Sequence, residues 1–96
     1  MQKMLIVKWV LKEAEVSRIQ KLLPELTERS RNENGNVFFT VYQSEAEANV
    51  FVLHECYADA EAAEAHRGSE HYQRIVVNEI IPHLAGREVI AVRHFL

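Results

Sequence analysis

The chain has ninety-six residues, of which 48% are hydrophobic and 26% charged, with only three Gly and two Pro. That composition excludes a disordered or collagen-like segment and leaves room for one core, a single domain spanning residues 1–96. Eleven Lys+Arg against fourteen Asp+Glu give a net charge of −3 with no basic stripe, which excludes nucleic acid as the main partner.

A chain this short buries only about 60–65% of the surface that its unfolded form exposes. Either its sheet faces are unusually apolar or a partner hides part of its surface. Cys56 is the one cysteine, so no internal disulfide can form, and a reducing, cytoplasmic location is expected. Lys8 interrupts the apolar N-terminal stretch and no small-residue cleavage site follows it, so neither a signal peptide nor a membrane span is expected.

Met4 to Leu11 is short, β-branched and aromatic and reads as a strand. From Glu13 to Arg31, Val16, Ile19, Leu22, Leu23 and Leu26 fall on one helical stripe, with a kink or break predicted at Pro24. Asn32 to Asn36 is loop chemistry around Gly35. Val37 to Gln43 and Asn49 to Tyr57 read as two strands of a hairpin. Asp59 is a predicted N-cap for an alanine-rich helix, and Ser69 caps a second segment that Pro82 and Gly86 end. Glu88 to Phe95 reads as the last strand.

The order β-α-β-β-α-β predicts an α+β, ferredoxin-like fold with both helical segments on one face of an antiparallel sheet. Both faces of the strands are apolar: Val37, Phe39 and Val41 oppose Phe38 and Tyr42, and Val7, Trp9 and Leu11 oppose Ile6 and Val10. Helices can cover one face. A homodimer packed sheet to sheet is the simplest cover for the other.

The sequence has no GxGxxG, Walker loop, CxxC, HExxH or GxSxG. His66 and His71 are five apart across Gly68, so no single helix face presents both, and no metal site is expected. Glu55 and Tyr57 share one strand face, His66 ends the next helix, and His71-Tyr72 opens the following one. If that face looks toward the helices, a carboxylate, two imidazoles and two phenols converge. A buried Glu there has a raised pKa and can exchange a proton with a histidine. The alternative is that Glu55 is a structural hydrogen-bonding residue and that the histidines cap helix ends or face solvent. Among the aromatics, Trp9 and Phe39 belong with the core, from which one or two can line a pocket.

The run FVLHECYADAEAAEAHRGSEHYQRI resembles the signature of the antibiotic biosynthesis monooxygenase domain, through Glu55, Tyr57, Asp59, Ala62, His66, Ser69, His71 and Tyr72. Upstream, SRNENGNVFFTVYQ is similar to that family's Ser-Arg, acidic, Gly, then aromatic-centred strand. The resemblance implies a dimeric α+β barrel with a pocket between sheet and helices. It implies a monooxygenase that takes a quinol, phenolic or polyketide-like aromatic small molecule and uses O2 as co-substrate without a cofactor. On that resemblance His66 is the base or proton shuttle, Glu55 shares its proton, His71 joins them, and Tyr57, Tyr72 and Phe39 wall an aromatic ring.

The haem-degrading branch of the superfamily relies on an Asn, a Trp and a His, where this chain has Lys8, His66 and Val76, so haem is not expected. Tyr57 replaces the usual tryptophan and the hairpin lacks an Asp-Pro, which leaves the substrate open. The His66–Tyr72 segment is also similar to that of an isomerase of phosphorylated autoinducer-2. That alternative calls for a cationic anchor such as Lys8, Arg67 or Arg74. A non-catalytic ligand-binding dimer is a third reading.

Overall fold

A computed structural model describes residues 1–96. Strand β1 (Lys3–Leu11) leads through a 3₁₀ turn at Glu13–Glu15 into helices α1 (Val16–Gln20) and α2 (Leu23–Arg31). Strands β2 (Asn36–Gln43) and β3 (Val50–Tyr57) form the hairpin. Helix α3 (Ala60–Arg67) and the π-helical α4 (Tyr72–Ile80) follow, and β4 (Leu84–Val92) closes the sheet. The four strands are antiparallel in the order β2-β3-β1-β4, the ferredoxin-like α+β arrangement that the element order predicts.

The predicted break in the first helical segment falls at Lys21-Leu22, and Pro24 lies in the first turn of α2, where its missing N–H leaves no bond unmade. The Asp59 cap is present: its side chain accepts from the Ala62 N–H at 2.8 Å. Ser69 closes the corner between α3 and α4, its hydroxyl donating to the His66 carbonyl at 2.6 Å and accepting from the Tyr72 N–H at 3.2 Å. In α4 the wide i→i+5 pattern sets Ile75 and Ile80 one turn apart, both fully buried.

Two boundaries differ from expectation. Strand β4 runs Leu84–Val92 rather than 88–95, because its partner β1 pairs with it from Leu11 back to Met4 and offers nothing beyond. Gly86 therefore does not end a helix; it sits inside β4 opposite Val10, and Pro82, in the 3₁₀ turn Ile81–His83, ends the helical segment alone. In β2 a bulge at Val37 breaks the alternation and leaves that side chain 48% exposed, out of the buried row that Phe39 and Val41 continue.

The core lies between one sheet face and the helices. Val7, Trp9 and Leu11 of β1, Phe39 of β2, and Phe51 and Leu53 of β3 pack against Ile19, Leu23 and Leu26 of α1–α2 and Ile75, Val76 and Ile80 of α4. The opposite face carries Ile6, Val10, Phe38, Tyr42, Val52 and Ile90. None of these is fully buried, and Tyr42 and Ile90 are at least half exposed. No helix is long and apolar enough to cross a membrane.

Candidate active site

A mostly apolar cavity of about 70 Å³ lies between the covered sheet face and helices α3 and α4, with exposed Arg67, Arg87 and Val89 at its rim. The period-two alternation of β3 sends Glu55 and Tyr57 into it, flanked in register by Leu5 of β1 and Phe39 of β2. From above, α3 contributes Ala63 and His66, one helical turn apart, and α4 contributes Tyr72 and Val76. His66 is 3% exposed and boxed by aromatic rings, with the centroids of Tyr57 and Tyr72 at 5.1 Å and Phe39 at 5.8 Å.

Two ionisable groups face each other inside this box. The Nε2 of His66 lies 3.9 Å from Oε1 of Glu55. That is too long for a hydrogen bond and suits one bridging atom, a water or a ligand hydroxyl. Glu55 is buried, and desolvation pushes its carboxyl up to about 7, against the opposing pull of the hydrogen bond that the Tyr57 hydroxyl donates to it at 3.2 Å. Burial likewise lowers the His66 pKa, against the pull of Glu33. The Tyr57 hydroxyl is pushed far up by burial and then by Glu55, so it stays a donor. At neutral pH the site thus holds a carboxyl poised between its two forms and a histidine biased to neutral.

Glu33, in the loop between α2 and β2, organises the outer side of His66. Its carboxylate lies 2.8 Å from Nδ1 of His66 and 2.5 Å from Nε2 of His71. A neutral His66 that donates from Nδ1 to this carboxylate keeps the lone pair of Nε2 on the cavity side, the arrangement of a base held in one tautomer by an acid behind it. Gly35 makes the approach possible. Its φ is +93°, and a Cβ there would stand 2.7 Å from the Cβ of Ala62, so only glycine lets this loop rest on α3.

The donor atoms of Glu33, His66 and His71 all lie within 4.8 Å of one another, the one such group in the chain. Two ligands of a tetrahedral zinc at bond lengths of about 2.1 Å stand roughly 3.4 Å apart. The contacts of 2.5 and 2.8 Å are instead the spacing of hydrogen bonds.

Of the residues singled out in the sequence, Glu55, Tyr57, His66, Tyr72, Phe39 and Trp9 all line the cavity. His71 stands one shell outside, reaching His66 through Glu33. Lys8 is a correction: it lies on the opposite face of β1 with Ile6 and Val10, beside Glu88 and Val52, and does not reach the cavity. Arg74, the other distant anchor considered, is held on the surface by Glu25 and Glu70. Arg67 does line the cavity, but it is paired with Glu64.

In the sequence Glu33 looks like an ordinary loop residue, and its contacts with His66 and His71 are not legible there. The acidic position of the Ser-Arg, acidic, Gly stretch was the available signal. Arg87, which reaches the cavity from β4, is likewise not legible there.

The fold is thus a ferredoxin-like sheet with Glu55 and His66 facing each other in a cavity under its helices. The profile of the family described as "Antibiotic biosynthesis monooxygenase" matches residues 3–78, and the chain belongs to that family. Among solved structures it is similar to a candidate antibiotic biosynthesis monooxygenase from Nitrosomonas europaea, at 24% identity and a TM-score of 0.84 over 98% of this chain and 90% of that one. It is also similar to a protein described as an antibiotic biosynthesis monooxygenase, at 23% identity and a TM-score of 0.90 over 98% of each chain. A conserved protein from Methanosarcina mazei Go1 matches at 21% identity and a TM-score of 0.86 over 97% of this chain and 92% of that one. At these identities the likeness is one of fold. Among curated proteins, none matches.

Proposed function

We propose that this protein is a cofactor-independent monooxygenase that oxidises a quinol, phenolic or polyketide-like aromatic molecule with O2, working in the cytoplasm as a homodimer joined through its outer sheet faces. The general monooxygenase role follows from the family. The observation that carries the finer reading is the Glu55–His66 pair, 3.9 Å apart within an apolar, aromatic-walled cavity.

A phenolic hydroxyl placed between the two groups loses its proton to Nε2 of His66, with Glu33 steadying the imidazolium from Nδ1. The electron-rich anion then reacts with O2 directly. In the keto form of such a ring, a CH2 becomes C=O, one oxygen atom is incorporated and the other leaves as water, so the substrate supplies every electron. The apolar walls exclude solvent from the intermediate. The cavity is about half the size of one known to admit benzene, about 150 Å³. A ring therefore enters by displacing the wall on the side of the edge strand β4, where Val89 is half exposed.

The experiment is oxygen uptake by flavin-free, chelator-treated protein with a panel of hydroquinones and anthrones. Glu55→Gln and His66→Ala each lower kcat by about 10²-fold or more, and Glu33→Gln lowers it by about tenfold with a shifted pH profile. Unchanged turnover in Glu55→Gln and His66→Ala sinks the proposal. Anaerobic conversion of a phosphorylated carbonyl compound would point instead to isomerase chemistry.

A further inference from the structure

We propose that the sheet-to-sheet dimer carries a pH switch at His54: it holds together while that imidazole is neutral and comes apart when the imidazole gains a proton. The proposal rests on the reading of the outer sheet face as the dimer interface and adds how that association is regulated.

The first observation is where His54 stands. The alternation of β3 that turns Leu53 and Glu55 into the cavity turns His54 to the opposite, outer face. It belongs to an inner strand of the sheet, with Ile6 directly beside it on β1 and Thr40 on β2. Its ring meets that of Phe38 edge-on, with centroids 4.7 Å apart. Within one copy His54 is half-buried. A second sheet laid on this face takes the remaining water away from it.

The second observation is the charge around it. Within the strands, Lys8 and Glu88 are the other charged side chains of this face, directly opposite each other on β1 and β4. Glu88 is on the edge strand with β1 between it and His54, so it gives His54 no counter-ion within the copy. Lys8 is nearer, a diagonal neighbour of His54 at about 7 Å. Tyr42 and Cys56 complete the titratable groups of the face. Tyrosine hydroxyls and cysteine thiols carry no charge at or below neutral pH. The face is therefore balanced while His54 is neutral and carries one net positive charge when it is protonated. Two copies packed face to face then oppose like charges and bury an unpaired imidazolium, and both effects work against association.

The third observation is extent. Four strands about 4.8 Å apart, paired over eight residues at about 3.4 Å each, make a face of about 19 Å by 27 Å. A second copy supplies a flat face of the same size, and the two together remove about 1,000 Å² from water, the lower bound for a specific interface. An interface of that size has little in reserve, so one desolvated charge per copy decides whether it holds.

Fluorescence-detected sedimentation of the whole protein, from picomolar to high micromolar concentration, reads the dimer Kd at pH 7.5 and at pH 5.8. Exposed carboxylates stay ionised over that interval, whereas histidine changes charge within it. Each dimer formed at pH 5.8 releases two protons, so Kd is expected to rise by about tenfold or more. His54→Gln stays dimeric at both pH values, and His54→Arg is weakened at both. Glu55 and His66 are titratable too, but they face the cavity and are intact in His54→Gln, so any dependence they cause survives there. His94, in the exposed tail beyond β4, is separated by His94→Gln, which keeps the wild-type response. A Kd that is constant or falls on acidification, or a rise that His54→Gln shares, overturns the switch. A wild-type protein that is monomeric at pH 7.5 overturns the dimer reading and the switch with it, whereas a dimer indifferent to pH overturns the switch alone.

Discussion

Glu55 is the residue at which chemistry and stability are most directly opposed. Its folded-state pKa of about 7 lies above the value of 4.5 that an exposed glutamate would have. The folded protein therefore binds the proton more tightly than the unfolded chain. The stabilisation this gives is complete below about pH 4.5 and is lost as pH rises through about 7. Between those limits the wild-type protein should lose about 3 kcal/mol that Glu55→Gln does not lose. Urea denaturation at pH 5 and at pH 8 measures this: the advantage of the variant grows with pH, and a constant difference would show that Glu55 ionises normally. His66 acts in the opposite sense, since its lowered pKa makes the fold lose stability as pH falls through the range where an exposed histidine would gain a proton. Near neutrality such a site pairs a carboxyl poised between its two forms with a neutral imidazole free to accept a proton.

At the scale of elements, the candidate site is a meeting of three short pieces, each held by a local device. Asp59 starts α3 so that Ala63 and His66 point inward, Ser69 turns the chain so that Tyr72 follows, and Gly35 lets the Glu33 loop lie on α3. Gly35→Ala should therefore do two things. A side chain at φ +93° and a Cβ contact of 2.7 Å should cost about 1–3 kcal/mol. The displaced loop should also carry Glu33 away from His66. Thermal denaturation reads the first effect and the histidine ring 15N shifts read the second. If the variant loses stability while the His66 tautomer stays the same, the loop positions Glu33 by some other contact. The devices at Asp59 and Ser69 were legible in the sequence because caps are local. The π-helical winding of α4 was not, since its residues suit an ordinary helix, and nothing in the local sequence accounts for it.

At the scale of the molecule, the excess of apolar residues for so short a chain is divided between two sheet faces. The helices cover one, and the other carries Ile6, Val10, Phe38, Tyr42, Val52 and Ile90, partly or largely open to solvent. Ile90 lies beside Ile6 in the register, so a charge there would fall within the patch. On the proposed dimer, Ile90→Lys should weaken association by about 2 kcal/mol or more, roughly thirtyfold. Sedimentation velocity at low micromolar concentration reads this as a shift toward monomer, while the fold and the cavity on the other face stay intact. A wild-type protein that sediments as a monomer would remove the sheet-to-sheet dimer.

The sequence by itself determined the order of helical segments and strands, the two rows of β1 and β3, the caps at Asp59 and Ser69, and Glu55, Tyr57, His66 and Tyr72 as residues that could meet between sheet and helices. Each of these follows from a period or a signal a few residues long. It could not determine which row of β1 faces the helices, and so could not tell that Lys8, one of the three candidate cationic anchors, lies on the face away from the cavity. Nor could it bring Glu33 to His66 and His71, thirty-three and thirty-eight positions away. Periodicity sorts side chains to one side of a strand or the other, but only the packing of distant segments decides which side is buried and what meets there.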